Sequence, residues 1–302
     1  MKPTLLVLAA GMGSRYGKLK QMDGFGPNDE TIIEYSLYDA IKAGFGKVVF
    51  IIRESFAEEF KAYFIPKLKG RIEVSFVYQE TDMIPDNFIK TIERSKPWGT
   101  AHAIWVARNE IDEPFGVINA DDYYGVESYT ILAEFLNAQY LSGSTDYAVV
   151  GYYLRNTLSE HGTVNRGVCQ KGEDGFLSSV IECIKIKREG DGIIRYKNGE
   201  TFSELDENSL VSMNMWGFLP SYFEYCENLF IDFLHNEGEK PEAEFFIPKL
   251  IDHLIQNKIL NVQVLDTESD WFGVTYQEDK PFVSEKINFL LEKGVYPQRL
   301  WD

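Results

Sequence analysis

The sequence predicts an α/β fold built on a mostly parallel sheet, and two observations carry that prediction. Continuous apolar runs such as TLLVLAA (4–10) and KVVFIIR (47–53) are the strands a parallel sheet buries on both faces. Segments of helical period lie between such runs, so strand and helix alternate along the first half of the chain.

TLLVLAA is the first strand. TIIEYSLYDAIKAG (31–44) sets Ile32, Tyr35, Ser36, Asp39 and Ala43 around a helical period and stops at Gly44. KVVFIIR is the second strand, and SFAEEFKAYFIPKL reads as a helix capped by Ser55. RIEVSFVYQ (71–79) alternates as a third strand, and TAHAIWVARNEI (100–111) is a helix with Thr100 near its start. PFGVINADDYY (114–124) is a fourth strand ending in two aspartates; a helix, SYTILAEFLNAQYL, and a strand, TDYAVVGYYL, follow. After about residue 150 shorter strands appear (TVNRGVCQ, FLSSVIECIKIKR, LVSMNMWGFL), with a Gly-rich hairpin segment, REGDGIIRYKNGE, among them. Helices are expected again over 220–236, 243–257 and 280–293. No repeat, low-complexity tract or Pro/Ser linker divides the chain. The expectation is one domain over 1–302 with halves 1–150 and 151–302, the second a mixed α+β extension of the same sheet.

At 302 residues and 44% hydrophobic the chain can bury a large core. No apolar run approaches the roughly 18 residues of a membrane helix. Cys169, Cys183 and Cys226 are scattered and odd in number, without C-x-x-C, so a disulfide framework or zinc ribbon is not expected. A reduced, cytoplasmic protein is. The formal net charge of -17 disfavours nucleic acid and anionic membrane as partners. The first 22 residues depart from that sign: they hold Lys2, Arg15, Lys18 and Lys20 and no acid. Because exposed charges are screened within about 8 Å at physiological salt, this cationic patch can hold a small anion in an acidic protein.

The patch lies in LAAGMGSRYGKLKQ (8–21), directly after the first strand. Glycines there let backbone N–H groups approach phosphate oxygens and form an anion-binding nest. It is not a P-loop, because five residues separate Gly11 from Gly17 and Leu19 follows Lys18. It is not a dinucleotide fingerprint, because the third glycine comes one residue late and Arg53 ends the second strand where an acid is expected.

What remains, A-A-G-x-G-[ST]-R followed by a lysine, resembles the signature of the nucleotidyltransferases that activate sugar 1-phosphates and related phosphate esters. The resemblance implies a Rossmann-like three-layer α/β/α sandwich of the nucleotide-diphospho-sugar transferase kind. It implies that Ala10, Gly11, Gly13 and Ser14 wrap a nucleoside triphosphate while Arg15 and Lys20 bind its phosphates. Lys18 is the alternative to Lys20, since the spacer is shorter than in many sugar-1-phosphate members and resembles the cytidylyltransferase branches.

Further stretches fall in the family's order. YQETDM and WGTAHAI resemble its base-reading segment, which implies Gln79 at the base edge and Gly99 and Thr100 near base or ribose. VINADDYYG resembles the strand-four ending that holds catalytic Mg2+, with Asp121 as ligand; strand alternation turns Asp122 to the other face. EHGTVNRG resembles the sugar-site stretch and places Gly162 and Thr163 near the sugar, with Arg166 a candidate for the substrate phosphate. VIECIKIK resembles V-x-E-K-P, with Glu182 toward sugar hydroxyls. Cys183 stands in place of the lysine, and strand alternation offers Lys185 instead. SMNMWGF resembles the family's N-x-G-x-[YF] strand, which implies Asn214 toward the sugar. In DWFGVT, Gly273 stands where several members carry a second metal aspartate; Asp270 is the first substitute and Asp279 the second. The resemblance is strong over about 4–125 and patchy to 275. It implies Mg2+-dependent transfer from an NTP, UTP or dTTP favoured, to a sugar 1-phosphate, with pyrophosphate released. A cytidylyltransferase for another phosphate ester, a glycosyltransferase of similar fold and a non-catalytic nucleotide-binding protein are the alternatives.

Overall fold

The computed structural model describes residues 1–11, 23–88, 92, 94–159, 162–273 and 279–301. Four parallel strands form its first half: β1 (Thr4–Leu8), β2 (Lys47–Ile52), β3 (Glu73–Tyr78) and β4 (Phe115–Asn119), in the order β4-β1-β2-β3. The order reverses at β1, leaving a crevice at the carboxyl ends of β1 and β4.

Alternation along β1 shows why three layers form. Leu5, Val7 and Ala9 join α1 (Ile32–Ala43), α2 (Ala57–Leu68) and α4 (Val126–Ser142) in one core cluster. Leu6 and Ala10 join α3 (Thr100–Trp105), α5 (Ser221–Glu237) and α6 (Ile247–Gln256) in another. A sheet buried on both faces between two helical layers is the α/β/α sandwich expected from the resemblance. A third cluster joins Phe25, Tyr35 and Tyr123 to α7 (Lys280–Glu292) and the tail residues Tyr296 and Leu300.

Local chemistry sets the boundaries. Thr31 and Glu34 form a reciprocal capping box at the start of α1, and Gly44, at φ 99°, closes it. Ser55 does not cap α2: it lies in a short 3-10 turn, and the helix starts at Ala57 without a side-chain cap. The run 114–124 is not one strand. The chain turns at Ala120–Asp121, and β5 (Asp122–Tyr123) pairs instead with β13 (Phe272–Gly273).

The second half continues the same sheet with mostly antiparallel pairs. β6 (Tyr147–Tyr153) and β11 (Leu210–Phe218) join it through β4. β7 (Val164–Lys171), β8 (Leu177–Arg188), β9 (Ile194–Asn198) and β10 (Thr201–Leu205) extend it outward. β12 (Val262–Thr267), absent from the expectation, runs parallel to β6. The three cysteines are buried and free. Among the described residues no helix is long and apolar enough to cross a membrane.

Candidate active site

A cavity of about 400 Å3 opens at the carboxyl ends of the parallel strands. Ala10 and Gly11 line it from β1, Gln79 from β3, Asn119 and Asp121 from β4, and Gly99 and Thr100 from α3. The parallel ladder continues one residue past the strands and fixes these positions. Ala9 donates to Ile51, Gln79 to Ile52 and Ala120 to Leu8, all backbone to backbone. Ala10, Gly11, Gln79, Gly99, Thr100 and Asp121 therefore share one cleft, although Gln79 and Asp121 lie far apart in sequence. Gly13, Ser14, Arg15, Lys18 and Lys20 lie outside the described residues.

One wall is a glycine corner. Gly99 has φ 110°, and a Cβ there would meet the Phe245 carbonyl oxygen at 2.6 Å and its nitrogen at 2.9 Å. The Phe245 backbone accepts from Ala101 and donates to Trp98, and Ile247 N–H donates to Thr100 Oγ1. Only glycine satisfies both the dihedral and the close approach. The result is a backbone edge fixed against the start of α6.

Asp121 sits in the turn beyond β4 on the cavity wall, whereas Asp122 is buried behind it. The two aspartates therefore do not both face the cavity, as expected, but the cause is the turn at Ala120–Asp121 and not the pleat of one strand. Asn119 Nδ2 donates to Asp122 Oδ2 at 2.8 Å, and Asn214 Nδ2 donates to Asn119 Oδ1 at 2.7 Å. Trp216 Nε1 donates to Asn214 Oδ1 at 3.0 Å, completing a chain of side-chain bonds under the end of β4. Burial, and then the charge of Asp121, push the Asp122 carboxyl up to about 8.

Arg166 lies between the charges of Asp122 and Glu182; burial brings its guanidinium down to about 10 against their opposing pull. Its two Nη groups donate to the carbonyls of Asn165 and Thr157, and it packs 4.8 Å from the Trp271 ring centroid. Glu182 pairs with Gly167 on the neighbouring strand. Gly162 and Thr163 are exposed just before β7. Lys185 does not follow the alternation that matched it to Cys183. The pairing of β8 with β9 slips between Ile184 and Lys187, Lys185 has φ 54°, and the buried residues become Cys183 and Ile186. Asp270 lies 3.6 Å from Lys286 of α7 in an exposed ion pair and is not among the residues lining the cavity with Asp121.

Two residues that line the cleft, Arg53 and Asn119, and one buried behind it, His102, carry little signal in the sequence. Arg53 lines the cavity and donates through Nε to the Ala10 carbonyl at 3.0 Å, bracing the entry to the glycine loop. Its only sequence signal was its place at a strand end. Asn119 precedes the aspartates without a motif of its own. His102 is fully buried on α3, three residues after Gly99, and its polarity on an apolar face was the available clue.

Residues 5–182 match the nucleotidyl transferase family, and the chain belongs to that family of enzymes. UTP--glucose-1-phosphate uridylyltransferase of Bacillus subtilis (strain 168) is 30% identical over 134 residues, 41% of this chain and 45% of that relative. The match thus spans less than half the length of this curated relative. A crystal structure of UDP-glucose pyrophosphorylase complexed with UDP-glucose superposes with a TM-score of 0.58. It is 18% identical and covers 97% of this chain and 100% of its own, a likeness of fold.

Proposed function

We propose that this chain transfers a nucleotidyl group from UTP or dTTP to a sugar 1-phosphate, releasing pyrophosphate. The observation that carries the reading is the shared cleft. Gln79 and Gly99 present a polar edge fit for a base, Gly11 leads into the cationic loop, and Asp121 closes the same cavity.

In this reading the substrate phosphate attacks the α-phosphorus as an anion already formed, so no general base is required. Catalysis is then positioning and charge neutralisation. Arg15 and Lys20 hold the triphosphate, Arg53 fixes the loop backbone, and the Asn119–Asn214 chain holds the turn that carries Asp121. Glu182, Asn214, Gly162, Thr163 and Arg166 form the sugar-phosphate end. Asp121 gives the cavity wall one hard-oxygen carboxylate, the ligand type Mg2+ takes, while Asp122 behind it is engaged by Asn119 and faces away. Asp121 would hold the ion, which when bound neutralises charge on the triphosphate. Asp270 remains the candidate for a second ligand, provided it leaves Lys286.

The test is a matrix of UTP, dTTP and CTP against glucose 1-phosphate, N-acetylglucosamine 1-phosphate and phosphocholine, read by pyrophosphate release. Turnover is expected with UTP or dTTP and a sugar 1-phosphate, and Asp121→Ala should lower it by about 100-fold or more in a folded protein. Turnover confined to CTP and phosphocholine would overturn the substrate assignment. Sugar transfer from a ready-made nucleotide sugar, without pyrophosphate, would make the chain a glycosyltransferase.

A further inference from the structure

We propose that His102 is a positioning residue for base choice: it locks the Gln79 amide so that Gln79 offers the cavity an acceptor oxygen and no N–H. The inference rests on the reading of Gln79 as a base contact and adds a residue and a selection rule to it.

Three contacts fix the arrangement. His102 Nε2 lies 2.7 Å from the Met83 carbonyl oxygen. A carbonyl only accepts, so Nε2 carries the hydrogen. The ring is wholly buried, and burial brings its basicity down to about 4, so the imidazole is neutral at physiological pH. A neutral ring with its hydrogen on Nε2 has a lone pair on Nδ1. The Gln79 amide nitrogen lies 3.1 Å from that Nδ1, so the amide must be oriented with N–H toward the ring. The same nitrogen lies 3.2 Å from the Gly99 carbonyl oxygen, which takes the second hydrogen.

Both amide hydrogens are then engaged, and Gln79 has only Oε1 to give a ligand. The reverse orientation would set Oε1 against two acceptors, the Gly99 carbonyl and the Nδ1 lone pair, inside a buried pocket. An acceptor at this point complements a base with a ring N–H at the centre of its pairing edge, as uracil and thymine have at N3. Cytosine presents a lone pair there. A site built around such a hydrogen bond rejects the mismatched base strongly because the buried partner is left unpaired.

The experiment compares equilibrium binding of UTP and CTP by calorimetry in the unaltered protein, His102→Asn and His102→Leu. Asparagine can place an acceptor where Nδ1 stands; leucine cannot. The unaltered protein and His102→Asn should prefer UTP. His102→Leu should lose about tenfold or more of the UTP-to-CTP ratio as the Gln79 amide becomes free to turn. An unchanged ratio in a folded His102→Leu protein, or a preference of the unaltered protein for CTP, overturns the proposal. Should His102→Leu fail to fold, nitrogen-15 NMR of the histidines decides. A His102 ring that keeps its hydrogen on Nε2 and does not titrate between pH 5 and 8 supports the lock; a hydrogen on Nδ1, or a titrating ring, overturns it. Binding and tautomer are read without turnover, so a failure of the proposed reaction shows separately as an absence of pyrophosphate.

Discussion

Asp39 provides a stability test whose outcome should depend strongly on pH. The residue lies on α1 and is 2% exposed, with Tyr296 Oη 2.6 Å from its Oδ2. Tyr296 Oη is in turn 2.9 Å from Tyr123 Oη, so the acid ties α1 to the tail and to β5, next to Asp121. Burial pushes the carboxyl up to about 8, against the opposing pull of the Tyr296 hydrogen bond. An unfolded aspartate titrates near 4. Between pH 4 and pH 8 the folded chain therefore holds a proton that the unfolded chain has lost, and stability falls as pH rises through that window. At about 1.4 kcal/mol per decade the loss reaches roughly 5 kcal/mol by pH 8. Asp39→Asn stays neutral at every pH, and its amide oxygen can accept from Tyr296 Oη as the acid's oxygen does. Its new amide hydrogens cost about 1–3 kcal/mol if buried without a partner. The difference in stability, variant minus parent, should therefore rise by about 3 kcal/mol between pH 5.5 and pH 8 and favour the variant at the upper end. Urea midpoints and slopes at both pH values measure it. A difference that stays constant with pH, or a variant less stable at pH 8 than at pH 5.5 relative to its parent, refutes the reasoning.

Gly99→Ala should destabilise by about 2–4 kcal/mol, because it combines a glycine-only dihedral with a Cβ 2.6 Å from the Phe245 carbonyl oxygen. Thermal melting reads that loss, and a raised nucleotide Kd checks that the displaced backbone is part of the cleft. Asn214→Ala should cost about 2–3 kcal/mol, since φ 63° suits asparagine better than alanine and Trp216 Nε1 loses its acceptor. Asn214→Gly should recover about 1 kcal/mol of this in urea denaturation, the part due to the backbone alone.

What was legible in the sequence follows the physics of each element. Strands buried on both faces must be apolar throughout, so β1, β2 and β4 stand out without any context. The capping box of α1 is local chemistry and reads directly. β12 carries Gln263 and Asp266 among its apolar residues and owes its existence to a long-range partner, β6. β5 and β13 are two residues each and exist only as each other's partner. A motif orders Gln79, Gly99, Thr100 and Asp121 along the chain, and they meet at one cavity, whereas Arg53 and His102 make their contacts with a carbonyl and an amide contributed from elsewhere in the chain. Such second-layer contacts leave almost no trace in spacing. Lys185 shows the converse: a two-residue alternation is sound only while the ladder keeps register, and a bulge removes it.

Position 273 makes the same point in space. Along the chain the nearest replacement aspartates are Asp270 and Asp279. In the fold, β13 lies against β5 with Gly273 paired to Asp122, and a Cβ on Gly273 would stand 2.5 Å from Asp122 Oδ1. A side chain at 273 and the observed Asp122 carboxylate compete for one volume, with the Trp271 ring at 3.0 Å closing the remaining side. Any side chain at 273 would thus displace the Asp122 carboxylate across the strand pair from its observed place. The lack of a side chain at 273 matches where Asp122 is held by Asn119 and the residues behind it, a relation that linear comparison of motifs has no means to register.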